Sequence, residues 1–257
     1  MPTTLTELIT DEQRRALKPD ARGFSSFIAD ADRPASQRSE SHFDGWYGGF
    51  YDRVVMNPRL RRIIGLSLWG REAAIRHLDA IIDALIATLP EHDGIVIDLP
   101  AGGGTALPLF AERQSTATIV ECDLSATMLE RAIARWTSEA RGVNALFVRC
   151  DAYDLPFAEQ CADAVVSFNG LHCMPSHDGF LTSLRRLLRP GASAFITTMV
   201  ATRSPRHRAV AAIARRMGVL PGPLPTHDEI VALAKAAGFA SCASLGGRGI
   251  EAFQLTA

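Results

Sequence analysis

The spacing of apolar residues changes once along this chain, near residue 90. Before that point, Ala74, Ile75, Leu78, Ile81, Ile82, Leu85 and Leu89 recur at helical spacing, and Pro90 with Gly94 ends the run. Such a pattern predicts an amphipathic helix over 71–89. A short helix is predicted around 4–17. It is followed by KPDARGFSSFIADADRPASQRSES, a polar stretch with Pro and Ser that reads as a loop or partly disordered. After Pro90, short β-rich runs take over: IVIDL (95–99), ATIVEC (117–122), ALFVRC (145–150), DAVVSF (163–168) and SAFITTM (193–199). Helix candidates at 104–113, 126–140, 176–188 and 226–237 alternate with them. Apolar runs without strict alternation, separated by helices of this length, predict an α/β fold of βαβ units with a parallel sheet covered on both faces. In the tail, SCASLGGRGIEAFQLTA offers two strands and a Gly-rich turn with no room for a crossover helix, so these two are predicted to pair antiparallel.

Composition narrows the function classes. The chain has 257 residues, a formal net charge of −1 and 47% apolar residues. A length of this order holds one large or two small domains and buries enough surface to need no disulfide or metal staple. Near-neutral charge gives no footprint for a phosphate backbone, so nucleic acid is not expected as a partner. No uncharged apolar stretch reaches membrane-span length, and MPTTLTELITDEQRR lacks a signal-peptide core. The five cysteines include no C-x-x-C, which fits reduced thiols in a cytoplasmic protein. Arg supplies all basic residues but Lys18 and Lys235, a usage that with abundant Ala points to a bacterial source. Aromatics concentrate early: Phe24, Phe27, Phe43, Trp46, Tyr47, Phe50, Tyr51 and Trp69 all fall within the first 70 residues.

The segment GIVIDLPAGGGTAL (94–107) is a buried strand ending in an acid, then a Gly-rich turn, then a helix start. Glycines there let a ligand approach the backbone and leave helix N-terminal N–H groups facing it. A dinucleotide fingerprint beginning at Gly102 requires glycine at 107, where Leu107 stands, which argues against a nicotinamide cofactor. The next strand ends at Asp123, 19 residues past Gly104. An acid at that distance can accept both hydroxyls of an adenosine ribose; alone, Asp123 also reads as a cap for the helix that follows.

In order along the chain, IVIDLPAGGG, VECDLSATMLERA, FVRCDAYDLPF, DAVVSFNGLHCM and LRRLLRPGASAFITT resemble the class I S-adenosylmethionine-dependent methyltransferases. The likeness is to the small-molecule group allied to the ubiquinone and menaquinone biosynthesis enzymes. It covers roughly 94–200 and implies a Rossmann-like, mostly parallel seven-stranded sheet with the last strand antiparallel, helices on both faces and an N-terminal helical cap. It implies S-adenosylmethionine as cofactor and a small-molecule substrate as partner, with neither nucleic acid nor membrane insertion, and it admits a homodimer. Position by position, the resemblance sets Asp98 near the methionine end of the cofactor and the Pro100, Ala101, Gly102 and Gly104 turn against its amino-acid portion. Asp123 falls at the ribose, and Leu124 and Met128 near the adenine. Asp151 with the Ala152 backbone matches the adenine amino group, and Asn169 lies beside the methionine and methyl. The family usually has glycine where Pro100 stands, and proline lacks a donor and fixes its own φ. HFDGWYGGFYDRVVMNPRL resembles the segment that precedes the core in the quinone-pathway relatives. On that match Tyr51 meets the cofactor, and Trp46 and Tyr47 form a lid over the substrate; aromatic faces attract cations such as a sulfonium.

Residues 1–89 therefore read as a helical cap or lid region and 90–257 as the methyltransferase domain, with a lid insertion at about 201–225. Loops at the carboxyl ends of strands shape the ligand crevice, and in that insertion Val210, Ile213 and Met217 form an apolar helix face expected to close over the substrate. His172, in FNGLHCM, is the candidate general base, since a neutral imidazole can take a proton from a hydroxyl; its alternative role is packing of the loop. Met174 closes the same motif on the substrate side. No spacing suggests a metal site. The expected reaction is methyl transfer to a small, apolar or aromatic acceptor, on oxygen or carbon. A nicotinamide-dependent oxidoreductase and a non-catalytic cofactor-binding module stay open as alternatives.

Overall fold

A computed structural model of the chain describes residues 4–28, 76–90, 94–216, 220–247 and 249–257. Its helices are α1 (Leu5–Leu8), α2 (Asp11–Ala16), α3 (Arg76–Ile86), α4 (Leu107–Glu112), α5 (Ala126–Glu139), α6 (His177–Leu187), α7 (Pro205–Arg216) and α8 (His227–Ala236). The strands are β1 (Lys18–Pro19), β2 (Ser25–Ser26), β3 (Ile95–Asp98), β4 (Thr118–Asp123), β5 (Asn144–Arg149), β6 (Ala162–Phe168), β7 (Leu188–Met199), β8 (Ser241–Gly247) and β9 (Ile250–Thr256). They form one sheet in the order β1-β2-β5-β4-β3-β6-β7-β9-β8. The strands from β3 onward are the seven of the expected sheet, and β9 runs antiparallel to both β7 and β8.

The apolar runs form strands because both faces of the sheet are covered. In β4 every residue is buried; Val120 and Cys122 face one core with Phe180, Leu184 and Ile230, while Ile119 faces the other with Leu85, Phe110 and Leu129. A fully buried side chain of this kind contributes about 1.5–3 kcal/mol, and strands buried on both faces lose the polar alternation of an exposed sheet. The helix starts carry their own signals. Ser125 accepts from Met128 N (3.2 Å), Ser176 from Gly179 N (3.1 Å), and Thr226 with Glu229 forms a capping box.

Departures from the sequence reading have identifiable causes. The single helix expected over 4–17 is two short ones, because Ile9 is extended, buried and bridged to Phe157, and Thr10 starts a new cap on Gln13 N. The polar stretch expected as loop instead contributes β1 and β2, which bring the sheet to nine strands. There Ser25 pairs with Val148, Phe27 N donates to Arg149 O (3.0 Å), and Phe24 is buried against the sheet. Strand β7 begins five residues earlier than expected, with Leu188 pairing Ala162; the Pro-Gly segment that masks this in the sequence is absorbed by a register shift. Of the apolar face expected on α7, Val210 is half-buried and Ile213 is 59% exposed, so that face is not closed by Ile213; Met217 lies outside the described residues. What the structure describes of residues 1–89 packs on the sheet, with Leu8 and Ile9 in one core and Ile81, Ile82 and Leu85 in the other.

Candidate active site

Strand order reverses at β3, which has β4 on one side and β6 on the other. In open parallel sheets a crevice for ligands lies outside the carboxyl ends of the strands at such a point. Asp98 ends β3, Asp123 ends β4, Asp151 follows β5, Asn169 follows β6 and Met199 ends β7. Five parallel strands therefore deliver five of the relevant positions to one edge of the sheet.

The turn after β3 is built tightly. Ala101 N donates to Cys122 O (2.8 Å) and Gly104 N to Ala101 O (3.1 Å). Gly102 and Gly104 both have φ in the left-handed region, +54° and +70°, where a Cβ is strained. At Gly104 a Cβ would also lie 3.0 Å from Ala132 Cα, so glycine is what lets α5 approach the turn; at Gly102 a Cβ would meet nothing within 4 Å. The turn is tied to Asp123 directly: Gly102 N donates to Asp123 Oδ2 (2.8 Å), and Ser125 N donates to Oδ1 (2.9 Å). Each carboxylate oxygen has a second lone pair, so a carboxylate oriented this way can still accept hydroxyls.

Pro100 is accommodated by a partner 70 residues away. A Cβ at Gly170 would lie 2.4 Å from Pro100 Cδ and 2.5 Å from the buried Ser167 Oγ, so only glycine fits opposite the proline ring. Asn169 beside it has φ +58°, and its N–H donates to Thr197 O (3.0 Å) and Thr197 Oγ1 (2.9 Å). The turn and the end of β6 therefore interlock.

His172 sits in a single 3-10 turn, Leu171–Cys173, and is buried. Its Nδ1 accepts Met199 N–H (3.1 Å) and lies 3.2 Å from Thr198 Oγ1. A backbone N–H can only donate, so in the neutral ring the proton is on Nε2. Burial first, then the neighbouring His177, push the imidazole down to about 4. In this tautomer the ring offers a donor at Nε2 and has no lone pair there to take a substrate proton.

Asp151 Oδ1 accepts Tyr153 N–H (2.9 Å) in a local turn, and Ala152 is buried beside it. Met128 is buried at the start of α5 and Leu124 is half-buried; Met174 packs partly on the core below α6. Tyr51, Trp46 and Tyr47 lie outside the described residues. The sequence reading passed over Gly170 and Ser167, and also Glu121 and Arg135. Glu121 is the register partner of Asp98 and is fully buried, and Arg135 of α5 donates from Nη1 to Gly103 O. A charged residue inside the apolar run TIVEC was the available signal for Glu121. Asp98 is also buried and its Oδ1 has no partner among the described residues; burial, then nearby Asp123, hold its carboxyl well above the usual range.

Comparison with known proteins places the chain among methyltransferases. Residues 96–191 match a family model described as a methyltransferase domain. A demethylmenaquinone methyltransferase of Thermus thermophilus is 33% identical over 134 residues, 52% of this chain and 58% of the relative. A fatty-acid O-methyltransferase of Mycolicibacterium smegmatis is 33% identical over 96 residues, 37% of this chain and 34% of the relative. The matched stretch thus spans little more than half of the first relative and about a third of the second. Among solved structures, phosphoethanolamine N-methyltransferase 2 of Haemonchus contortus in complex with S-adenosyl-L-methionine superposes with a TM-score of 0.59 at 19% identity, covering 80% of this chain and 45% of that one.

Proposed function

We propose that this chain, which carries a class I S-adenosylmethionine-dependent methyltransferase domain, transfers a methyl group to a small, apolar or aromatic acceptor on oxygen or carbon. The observation that carries the reading is the Gly102–Gly104 turn tied by Gly102 N to the Asp123 carboxylate at the sheet's point of strand reversal. The residues fit such a cofactor: Asp98 keeps a buried oxygen without a partner among the described residues, Gly102 opens onto free space, and the Asp123 carboxylate is already oriented by two backbone donors. S-adenosylmethionine, when bound, supplies an electrophilic methyl on a sulfonium.

In this reading Asp123 accepts the ribose hydroxyls and the turn from Pro100 to Gly104 lies against the amino-acid portion, near Asp98. Leu124, Met128, Asp151 and Ala152 line the adenine end, and Asn169 lies by the reacting centre. Most of the rate enhancement then comes from holding acceptor and methyl in line in a dry crevice. His172 acts as a hydrogen-bond donor through Nε2–H, orienting an acceptor that reaches the site with its reacting atom already nucleophilic, such as a carboxylate oxygen or an electron-rich ring carbon. The names of the two relatives, one for demethylmenaquinone and one for fatty-acid oxygen, support apolar acceptors of these kinds. The helical cap, with Tyr51, Trp46 and Tyr47, and the 201–225 insertion are assigned to covering the acceptor. A cytoplasmic location fits five free cysteines; among the described residues no helix is long and apolar enough to cross a membrane.

The test is calorimetry with S-adenosylmethionine, followed by uptake of labelled methyl across a panel of fatty acids, quinols and phenols. Saturable binding and labelling of one class are expected. Binding of a nicotinamide dinucleotide with none of S-adenosylmethionine would overturn the reading.

A further inference from the structure

Asp98 and Glu121 stand side by side on adjacent strands, partners in the β3–β4 register, and their side chains leave the same face of the sheet. Both are buried, and Asp98 Oδ1, Glu121 Oε1 and Glu121 Oε2 have no hydrogen-bond partner among the described residues. Among the described residues, the titratable groups that face them are Asp123 on β4 and Arg135 on α5. Arg135 is engaged with Gly103 O, and its Nε lies 3.9 Å from Glu139 at the helix surface. Two adjacent buried carboxylates with a third beside them cannot all be ionised at tolerable cost. Burial first, then Asp98, raise Glu121 well above the usual carboxyl range, with Arg135 opposing.

We propose that Asp98 and Glu121 share one proton in the free protein and release it to solvent when the cationic methionyl end of S-adenosylmethionine binds beside Asp98. The proposal rests on the cofactor site described under Proposed function. In the free protein one of the two carboxyls carries the proton, and Arg135 opposes the charge left on the pair. A bound ammonium and sulfonium bring positive charge to the same place, which favours the doubly ionised pair. Cofactor affinity and protonation are then linked, and affinity rises with pH while the free pair is protonated, by at most about tenfold per pH unit for one proton. Glu121 is thus a positioning residue: it acts through Asp98 and touches no reacting atom.

The experiment is calorimetric titration of S-adenosylmethionine into the full chain in phosphate and in imidazole buffer. Both are set at about pH 6.5, below the α-ammonium titration near about 7.7–8.0. Different buffer ionisation enthalpies convert proton release into different heats. Wild type is expected to release up to one proton. Glu121→Gln, whose amide can donate to an ionised Asp98, is expected to bind with the same heat in both buffers and with an affinity flat in pH. Asp123→Ala is expected to bind more weakly and, with one like charge fewer beside the pair, to release less of the proton than wild type. If Glu121→Gln fails to fold, infrared spectroscopy of wild type supplies the measurement: a protonated-carboxyl band in the free protein that disappears on cofactor addition. Wild-type binding with equal heats in the two buffers, or an unchanged proton count in Glu121→Gln, overturns the coupling and leaves the cofactor site standing. No binding by wild type overturns both.

Discussion

Replacing His172 with Asn separates the two roles this ring can have, because Asn Oδ1 can stand where Nδ1 accepts Met199 N–H while nothing titrates. Burial holds the folded ring at about 4, against about 6.5 in the unfolded chain. The folded value is the lower one, so between these limits the unfolded state binds more protons. Stability is therefore complete above about pH 6.5 and is lost as pH falls toward 4. Each pH unit between the two values is worth about 1.4 kcal/mol, so His172 alone should cost wild type about 3 kcal/mol between pH 7 and pH 4. Urea unfolding at intervals across that range should show the stability gap between wild type and His172→Asn moving by this amount in favour of the variant. The same ring predicts a kinetic result. A base with an ordinary histidine titration would give turnover an inflection near about pH 6.5 and would lose about 10²–10⁴-fold on substitution. A neutral donor gives a profile without that inflection, and His172→Ala should lose stability through the stranded Met199 N–H, by about 1–3 kcal/mol. Parallel pH–stability curves for wild type and His172→Asn would refute the burial-lowered titration, and a turnover inflection near about 6.5 that the Asn variant abolishes would refute the donor role and restore the base.

Three further outcomes are expected. Gly170→Ala drives a methyl into Pro100 and should cost about 1–3 kcal/mol as overpacking, with part of the cost recovered in the Pro100→Ala, Gly170→Ala double variant; strictly additive urea-unfolding energies would show that the two residues do not press on each other. Asp123→Ala removes both the charged acceptor and the anchor of Gly102 N, so S-adenosylmethionine affinity should fall at least about tenfold, each charged bond being worth about 1.5–3 kcal/mol; unchanged affinity in a folded variant would remove Asp123 from the site. Thr226→Ala breaks the capping box at the start of α8 and should lower unfolding energy by about 1 kcal/mol without altering cofactor affinity, as calorimetry and urea titration on one preparation would reveal.

The sequence by itself determined the order and type of the elements after residue 94, because apolar period, Gly turns and Ser/Thr caps are local features and each matched the fold around it. It also marked Asp98, the glycine turn and Asp123 as lying at strand ends, the edge where a parallel sheet presents ligands, while the role proposed for Asn169 came from the family resemblance. Tertiary structure decided what depends on which strands are neighbours. Asp98 and Glu121 meet only through the β3–β4 register. Pro100 meets Gly170 only because β3 lies beside β6, and the state of the His172 ring follows from a backbone N–H delivered by β7. Strands β1 and β2 were invisible for the same reason: two-residue strands have no period of their own and are held by the edge of β5. A contact between residues far apart in the chain exists only once register and crossover have fixed their distance, and no local pattern encodes that distance.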